Sequence, residues 1–446
     1  MGHFSKLFGS SEEPRRGRAV VLVAALALIA ALALSACGGG SSSSSSSEST
    51  GASESSEGEA TEASGETGGE ESSEASGEPI PIMALGTFEA TVAYPEGPPA
   101  FEAQVKKINE EGGVNGSELD LTICNDQGNP QVASHCAQEA VEKHDVAVMG
   151  SYSVQAAAFI PILESAHIPY IGADATQSIE STSEISFPIE NQYGLYGSMG
   201  YAAGTKGCKK SGIITENYGA ATASEDEAAA KAFEGSPEGE KMVKRIEVGS
   251  TTTDYAPPIA TLLSAGAECI IAPLPPEELP KMISAIKQSS DPDAQVAVTA
   301  ASLPVEELEA LGKQGEGMLV GSAGYVPGAE GAPAEVTEAL KMVEEFEPSA
   351  EHNTFTLAAI AAVRIVAHVA EEASGEVTAE SMLKGMGELE EFETGVAPPY
   401  TTTKEGPLSG KPRLFNLQVL AYEVQAGSKQ VPITKEFVDL GPIIGG

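Results

Sequence analysis

From Pro79 onward short apolar runs alternate with longer amphipathic stretches, and this order constrains the fold more than any other feature of the chain. "IPIMALGTF" reads as a strand, "PPAFEAQVKKINEEGG" as a helix stopped by glycine, "ELDLTICND" as a strand, and "PQVASHCAQEAVEKH" as a helix with apolar residues at helical spacing. "DVAVMGS", "QAAAFIPILESA" and "HIPYIGA" continue as strand, helix and strand. A repeated strand-helix-strand order makes parallel sheets covered on both faces, because every crossover lays a helix against the sheet. A second series begins after "YGLYGSMGYAAGTKG". Its strands are "CKKSGIITEN", "KMVKRIEVG", "AECIIAPL", "AQVAVTAA" and "GEGMLVGSA", separated by the helical stretches "ASEDEAAAKAFEG", "APPIATLLSAG", "PEELPKMISAIKQSS" and "PVEELEALGK". Two series, each of domain size, predict an α/β protein with two doubly wound parallel-sheet lobes. Three later helical stretches, "APAEVTEALKMVEEFEP", "HNTFTLAAIAAVRIVAHVAEEA" and "TAESMLKGMGELE", have little sheet of their own and are expected to pack on an existing lobe. "LFNLQVLAYEVQAG" then returns to strand.

The first 78 residues are of another kind. Arg15, Arg16 and Arg18 precede the uncharged "AVVLVAALALIAALALSA", which runs into Cys37 and a Gly/Ser tract. A basic start, an apolar middle and a small-residue end make a secretory signal. The apolar run nearly reaches the roughly 20 residues that span a membrane, so an uncleaved anchor is the alternative, but its ending favours processing. "LSAC" resembles the lipobox of bacterial lipoproteins, which implies lipid on the Cys37 sulfur and a mature chain starting there. Residues 38–78 hold ten glutamates but no Lys, Arg or large apolar side chain. Such a segment cannot offset its chain entropy and reads as a disordered tether with a reach of about 35 Å. The formal charge of −40 is not confined to the tether, and so acidic a body lacks the basic footprint of a nucleic-acid binder.

Beyond Cys37 the chain has four cysteines, an even number suited to an exported protein. Cys124 ends a strand and Cys136 lies in the helix after it; Cys208 and Cys269 each open an apolar segment, as on neighbouring parallel strands. Two bridges, Cys124 to Cys136 and Cys208 to Cys269, are predicted. No two cysteines have metal-site spacing, and His135, His144, His167, His352 and His368 are scattered, so no metal or cofactor is expected. "GGVNGS" lacks the Gly-Lys-Ser/Thr of a phosphate loop. "GSYSVQ", at positions 150–155, sits between strand and helix but is not the Gly-x-Ser-x-Gly of a hydrolase elbow. Ser153 is thus a helix cap, a ligand contact at the positive end of a helix, or, as an alternative, a hydrolase nucleophile.

"AFEAQVKKINEEGGVNG", "LTICNDQGNPQVASHCAQEAV", "VAVMGSYS", "FIPILESAHIPYIGADAT", "GIITENYG" and "EGMLVGS" together resemble the type I periplasmic binding proteins, specifically the leucine/isoleucine/valine-binding branch of ABC transporters, over residues 80–424. The resemblance implies two lobes joined by a three-segment hinge, with residues 79–206 plus 323–415 in the first and 207–322 plus 416–446 in the second, after a signal at 1–36 and a lipidated tether at 37–78. It implies a non-enzymatic, extracytoplasmic protein, bound to the membrane through its lipid alone, that carries a small polar ligand (an amino acid or related compound) to an ABC permease. A sensor lipoprotein without transport is the alternative within the same fold. Ser153 and Thr176 match the hydroxyls that hold an amino acid's carboxylate, Asp174 and Ala175 the adjoining main chain, Tyr94 a pocket wall, and Tyr218 the second-lobe tyrosine that closes over the ligand. Three departures follow. Ala300 stands where an acid receives the ligand's ammonium, "PLPPEE" replaces a second aromatic, and Asp174 replaces a small residue where its carboxylate would oppose an anionic ligand. An amide, a polyol, a nucleoside or another small polar compound therefore remains open.

Overall fold

The computed structural model describes residues 77–90, 93–150, 153–172, 174–217 and 222–445. The expected signal, Cys37, most of the tether and Tyr218 lie outside the described residues. The first series folds as β1 (Ile80–Gly86), α1 (Gly97–Glu110), β2 (Leu119–Asn125), α2 (Pro130–Lys143), β3 (Ala147–Gly150), α3 (Ala156–Ser165) and β4 (Tyr170–Ile171). A crossing follows, with β5 (Asp174–Ala175), β6 (Glu190–Asn191) and α4 (Gln192–Thr205). The second series is β7 (Lys210–Glu216), α5 (Thr222–Glu234), β8 (Lys241–Val248), α6 (Ala256–Ser264), β9 (Cys269–Ile271), α7 (Leu279–Lys287), β10 (Gln295–Thr299), α8 (Val305–Leu311) and β11 (Leu319–Ser322). The chain then forms α9 (Ala334–Phe346), α10 (Thr354–Glu372) and α11 (Ala379–Met386), and ends in β12 (Gln418–Gln425), β13 (Lys429–Pro432), β14 (Val438–Asp439) and the short α12 (Gly441–Ile444).

The first sheet has the order β2-β1-β3-β4 and is parallel throughout. The second has the order β13-β12-β11-β10-β9-β7-β8, parallel from β8 to β11 and antiparallel at β12 and β13. Each series starts inside its sheet, so each lobe has a point where the crossovers change direction, and ligands of such sheets collect there, beyond the carboxyl ends of the strands. The two-residue strand period sorts the first core: Met83, Leu85 and Val148 face α2 and α3, whereas Ile82, Ala84, Ala147 and Met149 face α1, α9 and α10. The length and apolarity of α10 would let it cross a membrane, but it is a mostly buried core helix, started by an Asn353–Thr356 capping box. α9 to α11 complete the first lobe.

Both expected disulfides are present. Cys124–Cys136 ties the end of β2 to α2, and Cys208–Cys269 ties the approach to β7 to the neighbouring β9. By the loop each closes, spanning 12 and 61 residues, the chain-entropy contributions are about 3 and about 4 kcal/mol.

Residues 192–205 form α4, which packs on α5 and on β10, β11 and β12 of the second sheet. The α4 sequence "QYGLYGSMGYAAGT" carries no local helix signal, since it has glycines every three or four residues and no amphipathic stripe. Each interior glycine costs a helix about 1 kcal/mol relative to alanine, but here it permits backbone contact. A methyl on Gly200 would lie 2.0 Å from the Ala229 carbonyl oxygen, and one on Gly204 would lie 1.7 Å from Ser236 Oγ. Gly200→Ala should therefore lower stability by about 1–3 kcal/mol in denaturant unfolding; an unchanged midpoint would contradict this packing.

Candidate ligand cleft between the lobes

Three loops at the carboxyl edge of the first sheet converge on one carboxylate. Asp126, immediately after β2, accepts through Oδ1 from Thr87 Oγ1 at 2.6 Å and from the Gly128 amide at 2.7 Å, and through Oδ2 from Ser153 Oγ. Thr87 follows β1 and Ser153 follows β3, so one fully buried side chain fixes the mouths of three strands. β3 ends in Gly150 for a steric reason: any Cβ there would meet the Tyr170 hydroxyl at 2.0 Å. That hydroxyl is buried and has no hydrogen-bond partner.

The sequence-identified residues fall on this edge with altered surroundings. The Ser153 hydroxyl donates to Asp126 and accepts from the Gln155 amide at 3.1 Å. The amino end of α3, where an anion was expected, is occupied by Gln177, whose Oε1 accepts from the Ala157 amide at 2.9 Å and whose amide group donates to the Val154 carbonyl. Thr176 is held by Glu180: its amide donates to Glu180 Oε2 at 2.9 Å, as does that of Gln177 at 2.8 Å, and its hydroxyl points to the same oxygen at 3.4 Å. Asp174 and Ala175 form β5, which pairs with Glu190 and Asn191 of β6 where the chain leaves the first lobe. Tyr94 packs edge-on against Phe355 of α10, with ring centroids 5.2 Å apart.

Sequence reasoning missed Asp126, Glu180, Gln192 and Glu225. Gln192, the first residue of α4, donates to Asp174 Oδ2, whereas Asp174 Oδ1 is buried without a partner. Glu225 lies in the first turn of α5, next to the segment that carries Tyr218. The position of Asp126 directly after a strand is a signal in the sequence; nothing local marks Glu180 or Glu225. At Ala300 the β10 edge offers Thr299 Oγ1 and Ser302 Oγ, 2.8 Å apart and bonded to each other. In "PLPPEE" Glu278 is buried, and one of its carboxyl oxygens is unpartnered.

The lobes meet at a three-stranded crossing. Asn191 Nδ2 donates to the Asn416 carbonyl at 2.6 Å, Asn416 Nδ2 returns to the Ile189 carbonyl at 3.2 Å, and Gly324, just beyond β11, lies against the Glu190 carboxylate. Asn191 also caps α4 through the Gly194 amide at 3.0 Å, so the crossing is continuous with a second-lobe helix.

The electrostatics of this region are one-sided. Burial pushes the Asp174 carboxyl up to about 7, against the hydrogen bond from Gln192 and with help from Glu225. Burial likewise raises Glu180 to about 8, and Glu225 to about 7 with Asp226 adding and Lys411 opposing. Tyr94 is pushed up to about 12 by burial, then by Asp174 and Glu96. Carboxyls raised in the fold bind protons more tightly there than in the unfolded chain, so their contribution to stability is complete below about pH 4 and is lost as pH rises through about 7 to 8. The ligand-free protein should therefore melt higher at pH 5 than at pH 8, and Asp174→Asn combined with Glu180→Gln should flatten that slope. An unchanged slope would show that these carboxyls are not the groups responsible.

No curated protein matches the chain by sequence. Among solved structures, an ABC transporter solute-binding protein of Rhodopseudomonas palustris HaA2, in complex with p-hydroxybenzoic acid, aligns at a TM-score of 0.66 and 19% identity, covering 81% of this chain and 97% of that one. An ABC transporter substrate-binding protein of Sphaerobacter thermophilus aligns at 0.66 and 18%, covering 81% and 100%. The branched-chain amino acid transporter substrate-binding protein of Streptococcus pneumoniae, in complex with isoleucine, aligns at 0.62 and 17%, covering 79% and 99%. At these identities the likeness speaks for the fold. The family model described as periplasmic binding protein matches residues 79–420, well over half of the chain. With that match, two parallel-sheet lobes and the crossing between them, the chain belongs to the periplasmic binding proteins, with the type I fold.

Proposed function

We propose that the protein is the extracytoplasmic solute receptor of an ABC importer, tethered to the membrane by lipid on Cys37, which closes its lobes over a small polar ligand and presents it to a permease. The observation that carries this reading is the convergence of the β1, β2, β3 and β4 loops on one edge, across the crossing from the amino ends of α4 and α5. A ligand contacting both sides would favour the closed form by its difference in affinity for the two states, and a permease can read that form. The first lobe is proposed to comprise residues 79–191 plus 323–415, and the second the remainder from 192. Ser153, Thr176, Ala175, Asp174, Tyr94 and Tyr218 are proposed to line the site, Ser153 and Thr176 through the loop conformations they hold as well as through their hydroxyls. The relatives' ligands named above, isoleucine and p-hydroxybenzoic acid, support a compound of amino-acid size.

A sensor lipoprotein would use the same cleft without a permease. A serine hydrolase is less well supported, because the Ser153 hydroxyl donates to a carboxylate already engaged by Thr87 and Gly128 and accepts from the Gln155 amide, neither partner being an imidazole. Thermal melting of the full chain against a panel of small metabolites tests the receptor reading. A true ligand at 100 times its dissociation constant adds about 2.7 kcal/mol, which raises the melting temperature by several degrees. Absence of stabilisation across the panel, together with fluorophosphonate labelling that Ser153→Ala abolishes, would replace this reading with the hydrolase.

A further inference from the structure

The first lobe's contribution to the cleft is built for positive charge. Asp174 is 3% exposed and Glu180 is 1% exposed, and each has one carboxyl oxygen buried without a partner. The Tyr170 hydroxyl is also buried without a partner, and Glu180, Asp126 and Asp174 act on it electrostatically. Asp174 also acts electrostatically on Tyr94, on Tyr170 and on Tyr196 of α4. Glu225 of α5 acts on Asp174 electrostatically, and Glu96, just before α1, acts on Tyr94. Against these acids the nearby cation is Lys411, which acts on Glu225 while its ammonium sits 4.9 Å from the centre of the Tyr193 ring. Among the described residues no group of acids, histidines or cysteines is arranged to hold a metal ion.

A buried acceptor left without a donor costs on the order of 1–3 kcal/mol, and more when it is charged. Such a cost at a cleft is recovered when a ligand supplies the missing donor. A ligand carboxylate placed here would meet the lone pairs of Asp174 Oδ1 and the field of Glu180 and Glu225. An ammonium or guanidinium would satisfy Oδ1 directly through a charge-assisted hydrogen bond. We propose that the cleft selects a small organic cation, whose ammonium or guanidinium group docks on the free oxygen of Asp174. This rests on the solute-receptor reading and names the chemical class of its ligand.

The test uses the full chain at pH 7.5 and low salt, with three sets of probes of similar size: agmatine and putrescine as cations, 1,4-butanediol and valeramide as neutral compounds, and valerate and 4-hydroxybenzoate as anions. The cations should stabilise the protein in thermal melts and bind in calorimetry at least tenfold more tightly than any neutral or anionic probe. Asp174→Asn should weaken the better cation at least tenfold. Glu225→Gln, which leaves the Asp174 oxygen untouched, should weaken it several-fold, so the result does not depend on one variant. Tighter binding of a neutral or anionic probe, or unchanged cation affinity in Asp174→Asn, would overturn the cation assignment and leave the receptor reading intact. Binding by none of the three sets would count against both.

Discussion

The ligand edge of the first lobe depends on the buried carboxylate of Asp126. It joins the loops after β1, β2 and β3 through Thr87, its own turn at Gly128 and Ser153. Removing one partner of such a buried charged network costs far more than an exposed ion pair contributes, because the groups left behind are desolvated. The fourth loop of this edge, after β4, carries Asp174, Ala175 and Thr176, and Glu180 folds it back on itself.

The same wiring decides which ligand chemistry the cleft favours. Groups suited to an anion, the Ser153 hydroxyl and the amino end of α3, are engaged by Asp126 and Gln177. Groups suited to a cation, Asp174 Oδ1 and Glu180 Oε1, are left without partners. The raised carboxyls belong to the same arrangement: burial favours their neutral form, and a positive group beside them would favour the charged one. Asp174 is bonded to Gln192 at the first turn of α4, so its carboxylate links the β4 loop to the point where the chain passes between lobes.

Much of the architecture was legible in the sequence because it follows from periodicity. The strand "IPIMALG" and the helix "PQVASHCAQEAVEK" fall where their apolar spacing places them, and both disulfides follow from strands and helices set in that order. α4 was not legible, because its glycines oppose a helix locally and are justified only by the α5 backbone against them. The same limit applies to the site. Asp174 stood out as a charged residue in a loop where a small one was expected, whereas Asp126, despite its place directly after a strand, acquires its role from Ser153, and Glu225 acts on Asp174 from 51 residues away. The role given to Ser153 was read from its place beside a helix; its partner, 27 residues earlier, could not be read from that place.

The central claim is that one ligand is gripped from both lobes at the carboxyl edges of their sheets. Hydrogen exchange followed by mass spectrometry, on the full chain with and without a stabilising ligand, tests it most directly. The account predicts slowed exchange together in the first-lobe loops at 87–94, 126–129 and 174–177, at the start of α5 in the second lobe, and at the crossing around Asn191 and Asn416. Protection confined to one lobe, or appearing only at a surface away from these segments, would contradict it.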